Sequence, residues 1–304
     1  MRGVFVDANE SLAVIFERLV KSGDPEIRIH RDPDITPEQY PEVLGGAEIA
    51  IVDHTALPTA IARQCAGLKH VVFLGTGARS YMNPEELAEL GIEVHLIKGY
   101  GDTAVAEAAI ALMWAAARGI AEMDREMRAG NWLRDDGMQL TGKTLGLIGF
   151  GGIAAEVARI ALGSGMRVIA WNRSPKKFPK VEFLDYDEVL TESDVISIHL
   201  LLNDETRGMI SRACIEGMKP GVILVNTARG AIVDEAAMIE ALQTGHIRHA
   251  GLDVFNIEPL PADHPLTKLE NVTLSAHSAF RTPEASENLM RAAWEHCRRI
   301  ARGK

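Results

Sequence analysis

Cysteine is scarce: Cys65, Cys214 and Cys297 are the only three in 304 residues, they stand far apart, and no Cys-x-x-Cys pair occurs. That excludes a disulfide framework and a cysteine-built metal centre, and no metal is expected. Basic residues are in deficit, 32 Lys and Arg against 42 Asp and Glu for a net charge of −10. A chain so acidic lacks the basic surface that nucleic-acid phosphates require. No block of like charges marks a tail. Long apolar runs are missing as well. The longest apolar helix candidate, 108–117, lies between Glu107 and Arg118 and is too short to span a bilayer. The opening MRGVFVDANES reaches Asp7 after a very short apolar stretch, unlike a secretory signal. The expectation is a soluble cytoplasmic protein with neither a nucleic-acid nor a membrane partner.

What is present is ordinary globular material, 47% apolar and 24% charged, in a chain long enough for two domains. The first hundred residues alternate short strands (GVFVD, EIRIH, AEIAIVD, HVVFLG, IEVHLI) with helical segments such as SLAVIFERLV. A long helical segment, TAVAEAAIALMWAAARGIAEMDREMRAG, follows Gly101. A second series then begins at Thr144 with TLGLI and continues through VIAWN, DVISIHL, GVILVNT, HAGLDVF and VTLSAH. Strands alternating with helices imply βαβ units and parallel sheets, hence an α/β protein of two domains with a ligand cleft between them. PEASENLMRAAWEHCRRIARG reads as one closing amphipathic helix.

The run Gly149-Phe150-Gly151-Gly152-Ile153-Ala154 fits G-x-G-x-x-[GA] between a strand and a helix. Gly149 permits a tight turn, Gly151 lets backbone approach a pyrophosphate, and Ala154 lets helix and strand pack closely. The helix N-terminus adds free N–H groups for phosphate. An NAD site usually ends its second strand in an acid, whereas this one ends in Asn172-Arg173-Ser174. Asn172 repels no 2′-phosphate, Arg173 offers a planar fork of donors, and Ser174 adds a hydroxyl. NADP is therefore preferred over NAD; the alternative is that Arg173 and the neighbouring lysines form an ordinary solvated loop.

Polar residues also close three later apolar strands, in VILVNTARG, GLDVFNIEP and VTLSAHSAF. With GTGARSYM, TAVAE, GKTLGLIGFGGIA, ETRGMIS, NTARGAIVDEAAMIEAL and GLDVFNIEPLPADHPL in this order, nearly the whole chain resembles the D-isomer-specific 2-hydroxyacid dehydrogenase family. The resemblance implies two Rossmann-like domains with parallel sheets: a flavodoxin-like substrate-binding domain, 1–99 with 283–304, and a Rossmann NAD(P)-binding domain, 100–282. It implies a homodimer, with the long helix near residue 101 contributing. It gives His277 the acid/base role, Glu258 the task of orienting its imidazole, and Arg229 the grip on the substrate carboxylate. Gly75, Thr76 and Gly77 would offer the substrate backbone contacts, or form a simple turn. Phe150, Gly152 and Ile153 join the glycines at the cofactor, with Leu201, Thr206, Thr227, Ala228 and Asp253, and Val105 either touches the nicotinamide or belongs to the core. His199 and Glu107 read as structural.

Departures from the family pattern are Leu201 in place of a proline, Arg79 and Met82 where acids are common, and Ala276 before His277; Phe280 is placed to wall the site. The implied activity is NAD(P)-dependent 2-ketoacid reduction, with glyoxylate or hydroxypyruvate as the leading substrates. A phosphoglycerate dehydrogenase and a non-catalytic dinucleotide-sensing corepressor are the alternatives. A formate dehydrogenase is disfavoured because its relatives carry Gln at the position of Glu258.

Overall fold

The structure is a computed structural model that describes residues 1–303. The chain divides into two compact units, Met1–Gly101 together with the chain from Thr282, and Asp102–Arg281.

The smaller unit is built on β1 (Arg2–Phe5), β2 (Glu26–Ile29), β3 (Ile49–Val52), β4 (His70–Phe73) and β5 (Glu93–Leu96). All pairs are parallel and the order is β2-β1-β3-β4-β5, the flavodoxin-like arrangement. Ile49–Val52 is buried throughout, as a strand covered on both faces requires. The closing helix Pro283–Ala301 returns to this unit and lies beside Glu10–Arg18. Trp294 stacks on Phe16 with ring centroids 4.3 Å apart and donates its indole N–H to the Phe16 carbonyl at 2.8 Å. Arg298 grips Asp24 through two bonds of 2.7 and 2.8 Å, holding its carboxyl below the usual carboxylate range.

The larger unit holds β6 (Thr144–Ile148), β7 (Arg167–Trp171), β8 (Val181–Phe183), β9 (Val195–Ile198), β10 (Val222–Asn226), β11 (Ile247–Leu252) and β12 (Val272–Leu274). Their order is β12-β11-β10-β9-β6-β7-β8, all parallel, so the strand order reverses between β6 and β9. Ligands bind outside the carboxyl ends of strands at such a reversal. The alanine-rich helix Asp102–Ala117 packs against β10 and β11. Gly251 permits the approach, since a Cβ there would sit 2.9 Å from that of Leu112.

Two local readings of the sequence change. The long helical segment after Gly101 is two helices, Asp102–Ala117 and Ile120–Arg128, bent by 66°. Gly119 makes the break at φ +59°, and a side chain there would meet the Asp135 carboxylate at 2.5 Å. The strand Val181–Phe183 is additional; at three residues it is too short to show a pattern. Among the described residues no single helix is long and apolar enough to cross a membrane.

Candidate active site

The carboxyl end of β6 runs straight into the glycine turn. Gly149 has φ +89°, and a Cβ on it would lie 2.6 Å from the His199 carbonyl at the end of β9, so only glycine closes this corner. Around Gly151 nothing would lie within 4 Å of a Cβ, so a ligand can approach the backbone there. At Gly152 a Cβ would overlap the Asp102 carboxylate, which packs on the turn and whose pKa is raised by burial and then by Glu156. The helix Gly152–Gly163 begins without a side-chain cap on Gly151, and its first backbone bond runs from Ala155 to Gly151. Its leading N–H groups, including those of Gly152 and Ile153, therefore face outward at the positive end of the helix dipole. Phe150 points the other way, packed among Phe178 and Phe183.

Asn172 does more than avoid repulsion. Its Oδ1 accepts from the Phe150 N–H at 3.0 Å, and its Nδ2 donates to the Ser174 carbonyl at 2.8 Å. It ties the glycine turn to the end of β7, a role that a reading by charge alone misses. Arg173 is exposed and pairs with Glu205 at 2.5 Å. Glu205 belongs to a loop folded on itself: Thr206 donates its hydroxyl to the Leu201 carbonyl at 2.6 Å, and Asn203 Oδ1 accepts from the Glu205 and Thr206 N–H groups. Leu201, 64% exposed, stands out from this loop. His199 bonds Ser197 at 2.9 Å, and burial pushes its pKa down to about 4, so it is neutral.

At the end of β10 the buried Asn226 shapes the next turn. Its Oδ1 accepts from the Ala228 N–H at 2.9 Å and its Nδ2 donates to the Arg229 carbonyl at 3.0 Å. Thr227 between them is only 8% exposed, and its Oγ1 is the one buried side-chain polar atom without a partner among the described residues. Such an atom costs stability unless a ligand satisfies it. Together with the open Gly151 and the uncapped helix, it fits a dinucleotide. Arg229 is partly buried, and its Nη1 donates to the Ala228 carbonyl at 2.6 Å, which leaves the rest of the fork for an anion. Gly230 follows directly; a Cβ there would overlap the Phe255 carbonyl carbon, so the Arg229 turn rests on the backbone leading to Glu258. Val105, on Asp102–Ala117, is half-buried.

Glu258 and His277 meet as expected. Glu258 Oε1 accepts from the Phe255 N–H at 2.9 Å, and Oε2 takes His277 Nδ1 at 2.6 Å. A carboxylate has only acceptors, so Nδ1 carries the proton and Nε2 is left to react. The Phe280 ring stands edge-on to the imidazole with centroids 6.3 Å apart, forming a wall. His277 itself has φ +46°, a left-handed conformation rare outside glycine. Asp253, buried at the end of β11, holds it there. Its carbonyl accepts the His277 N–H at 2.8 Å. Its carboxylate accepts from Ser275 Oγ at 2.5 Å and from the Ser278 and Ala279 N–H groups at 3.0 Å each. This bracing of the 275–279 turn was not visible in the sequence.

In the smaller unit, Gly75–Gly77 follow β4. Gly75 is buried, its carbonyl accepting from Ile97, while the Thr76 and Gly77 N–H groups have no acceptor among the described residues. Arg79 pairs with Glu85, which makes it a surface charge.

Residues 110–279 match the family model described as the NAD binding domain of D-isomer specific 2-hydroxyacid dehydrogenases. The glyoxylate reductase of Aeropyrum pernix is 39% identical over 88% of this chain and 85% of its own. The hydroxypyruvate reductase of Thermotoga maritima is also 39% identical, over 86% of this chain and 85% of its own. Among solved structures, the TT0316 protein of Thermus thermophilus aligns with TM-score 0.88 and 34% identity, covering 100% and 98% of the two chains. An acyclic imino acid reductase in complex with NADPH and D-Arg aligns with TM-score 0.87 and 29% identity over 100% and 98%.

Proposed function

Because the chain belongs to the D-isomer specific 2-hydroxyacid dehydrogenase family, and so is an NAD(P)-dependent oxidoreductase, we propose that it reduces glyoxylate or hydroxypyruvate with NADPH. The observation that carries the chemistry is the double engagement of Glu258, by Phe255 on one oxygen and His277 on the other. Bound nicotinamide supplies the hydride to C2 of the keto acid. His277 Nε2–H donates the proton to the keto oxygen, and Glu258 balances the imidazolium charge until that transfer. Arg229 takes the substrate carboxylate and polarises the adjacent carbonyl. Thr227 Oγ1, the Gly151 turn and the outward N–H groups of Gly152 and Ile153 hold the cofactor.

NADPH preference rests on the corner formed by Asn172, Arg173 and Ser174. Among the described residues Arg173 is engaged by an exposed ion pair with Glu205, a kind worth about 0–1 kcal/mol. A hydrogen bond to a charged phosphate is worth roughly 1.5–3 kcal/mol, so the guanidinium gains by turning to a 2′-phosphate. Ser174 adds a hydroxyl, and no carboxylate occupies the position of Asn172. The expected kcat/KM ratio favours NADPH by about ten- to a hundred-fold, and Arg173→Ala brings the two cofactors near parity. A panel of 2-ketoacids assayed with NADPH and NADH checks both substrate and cofactor; an enzyme faster with NADH removes Arg173 from the site.

The reading includes a homodimer formed through the larger unit. Ile120, Met127, Trp132 and Leu133 expose apolar surface along one stretch of it, Trp132 at 74%. Sedimentation is expected to give twice the chain mass of 33.1 kDa, and a monomer at micromolar concentration would reject the dimer.

A further inference from the structure

At the amino end of the five-stranded sheet, three side chains converge that the reductase chemistry does not use. His70 opens β4 and Glu93 opens β5, and the parallel register pairs these two residues directly. His95 lies two residues beyond Glu93 and so projects from the same sheet face. His70 Nδ1 and His95 Nε2 are 3.2 Å apart, and Glu93 Oε2 lies 3.7 Å from the first and 3.6 Å from the second.

We propose that His70, Glu93 and His95 bind one divalent transition-metal ion of the zinc class. The three separations carry the argument. A circle through atoms 3.2, 3.6 and 3.7 Å apart has a radius of about 2.0 Å. That radius is close to a zinc–imidazole or zinc–carboxylate bond length, so one ion placed between the three atoms would lie within bonding distance of each, replacing the contact between the two ring nitrogens. Two imidazoles and a carboxylate form a borderline-soft set that suits Zn²⁺, Co²⁺ or Ni²⁺ over Ca²⁺ or Mg²⁺. Three protein ligands leave a fourth position for water.

The surroundings agree. His95 is buried, His70 is partly buried, and Glu93 is exposed, which gives the ion a way in from solvent. His296, on the closing helix, lies with its ring centroid 5.7 Å from that of His95. The nearby Arg299 opposes a cation, but its guanidinium is turned to His296 Nδ1 at 2.9 Å. The cluster sits at the opposite end of β4 from the Gly75–Gly77 loop, so its role is to pin β5, the edge strand, to β4. Sequence spacing conceals it, because the ligands come from two strands more than twenty residues apart.

Titrating the full-length, tag-free, metal-stripped protein with Co²⁺ is expected to give visible ligand-field absorption that saturates at one ion per chain, and Zn²⁺ should displace it. Glu93→Gln and His70→Gln should each weaken binding at least about tenfold. Both positions retain some exposure, and an unchanged circular dichroism spectrum confirms that the variants fold. Zn²⁺ should raise the Tm of the wild type and leave that of His70→Gln unmoved. Absence of stoichiometric binding at micromolar metal, or binding that survives both substitutions, overturns the site.

Discussion

Replacing His277 with alanine is expected to lower kcat by at least about 100-fold while the protein stays folded. The substitution removes Nε2, the only imidazole nitrogen not committed to Glu258, and with it the proton for the keto oxygen. Folding survives because the residue's structural tie is its backbone N–H, which bonds the Asp253 carbonyl at 2.8 Å and is retained by alanine. The side chain itself is only partly buried and contributes little to the core. Glu258→Gln serves as the graded control: its amide oxygen can still accept from Phe255, but it no longer balances an imidazolium. It should lose less than His277→Ala. Steady-state turnover with saturating cofactor and ketoacid measures both, and near-normal kcat in His277→Ala would exclude the histidine from proton transfer.

Arg229→Lys should reduce kcat/KM for the ketoacid by about 10²–10³-fold, without a matching change in the KM for cofactor. Lysine keeps the positive charge but not the planar fork, so it cannot hold a carboxylate through two parallel bonds while polarising the neighbouring carbonyl. It also loses the bond from Nη1 to the Ala228 carbonyl at 2.6 Å, which fixes the direction of the guanidinium. An effect confined to cofactor KM would place Arg229 in the dinucleotide subsite instead. Substrate and cofactor saturation curves on the same preparation separate these outcomes.

Much of the fold was legible because strands buried on both faces read as unbroken apolar runs: TLGLI and VILVN are each wholly buried. The break at Gly119 was hidden because helical composition continues on both sides of it, and the sequence does not show that this glycine takes φ +59° with the Asp135 carboxylate against it. At the site, His277, Glu258 and Arg229 stood out as polar groups closing apolar strands. The contacts that position them did not: Asp253 is named from the resemblance only as a cofactor residue, and Asn226 not at all. Asp253 and Asn226 act on backbone N–H and carbonyl groups of nearby turns, and a sequence does not say which peptide groups will face a given side chain. Glu205 was likewise unread, since its pairing with Arg173 joins two loops 32 positions apart.

Asn172 places a constraint on how this corner can diverge. Its amide gives a donor to Ser174 and an acceptor to Phe150. An aspartate keeps the acceptor but sets a carboxylate oxygen against the Ser174 carbonyl, where two acceptors repel. That change therefore strains the 172–174 corner while leaving the tie to the glycine turn through the Phe150 N–H in place. A rearrangement of 173–174 that turns the Ser174 carbonyl away would remove that repulsion. Position 172 is thus coupled to the conformation of its two successors, and a carboxylate there is accommodated only when the Ser174 peptide changes with it.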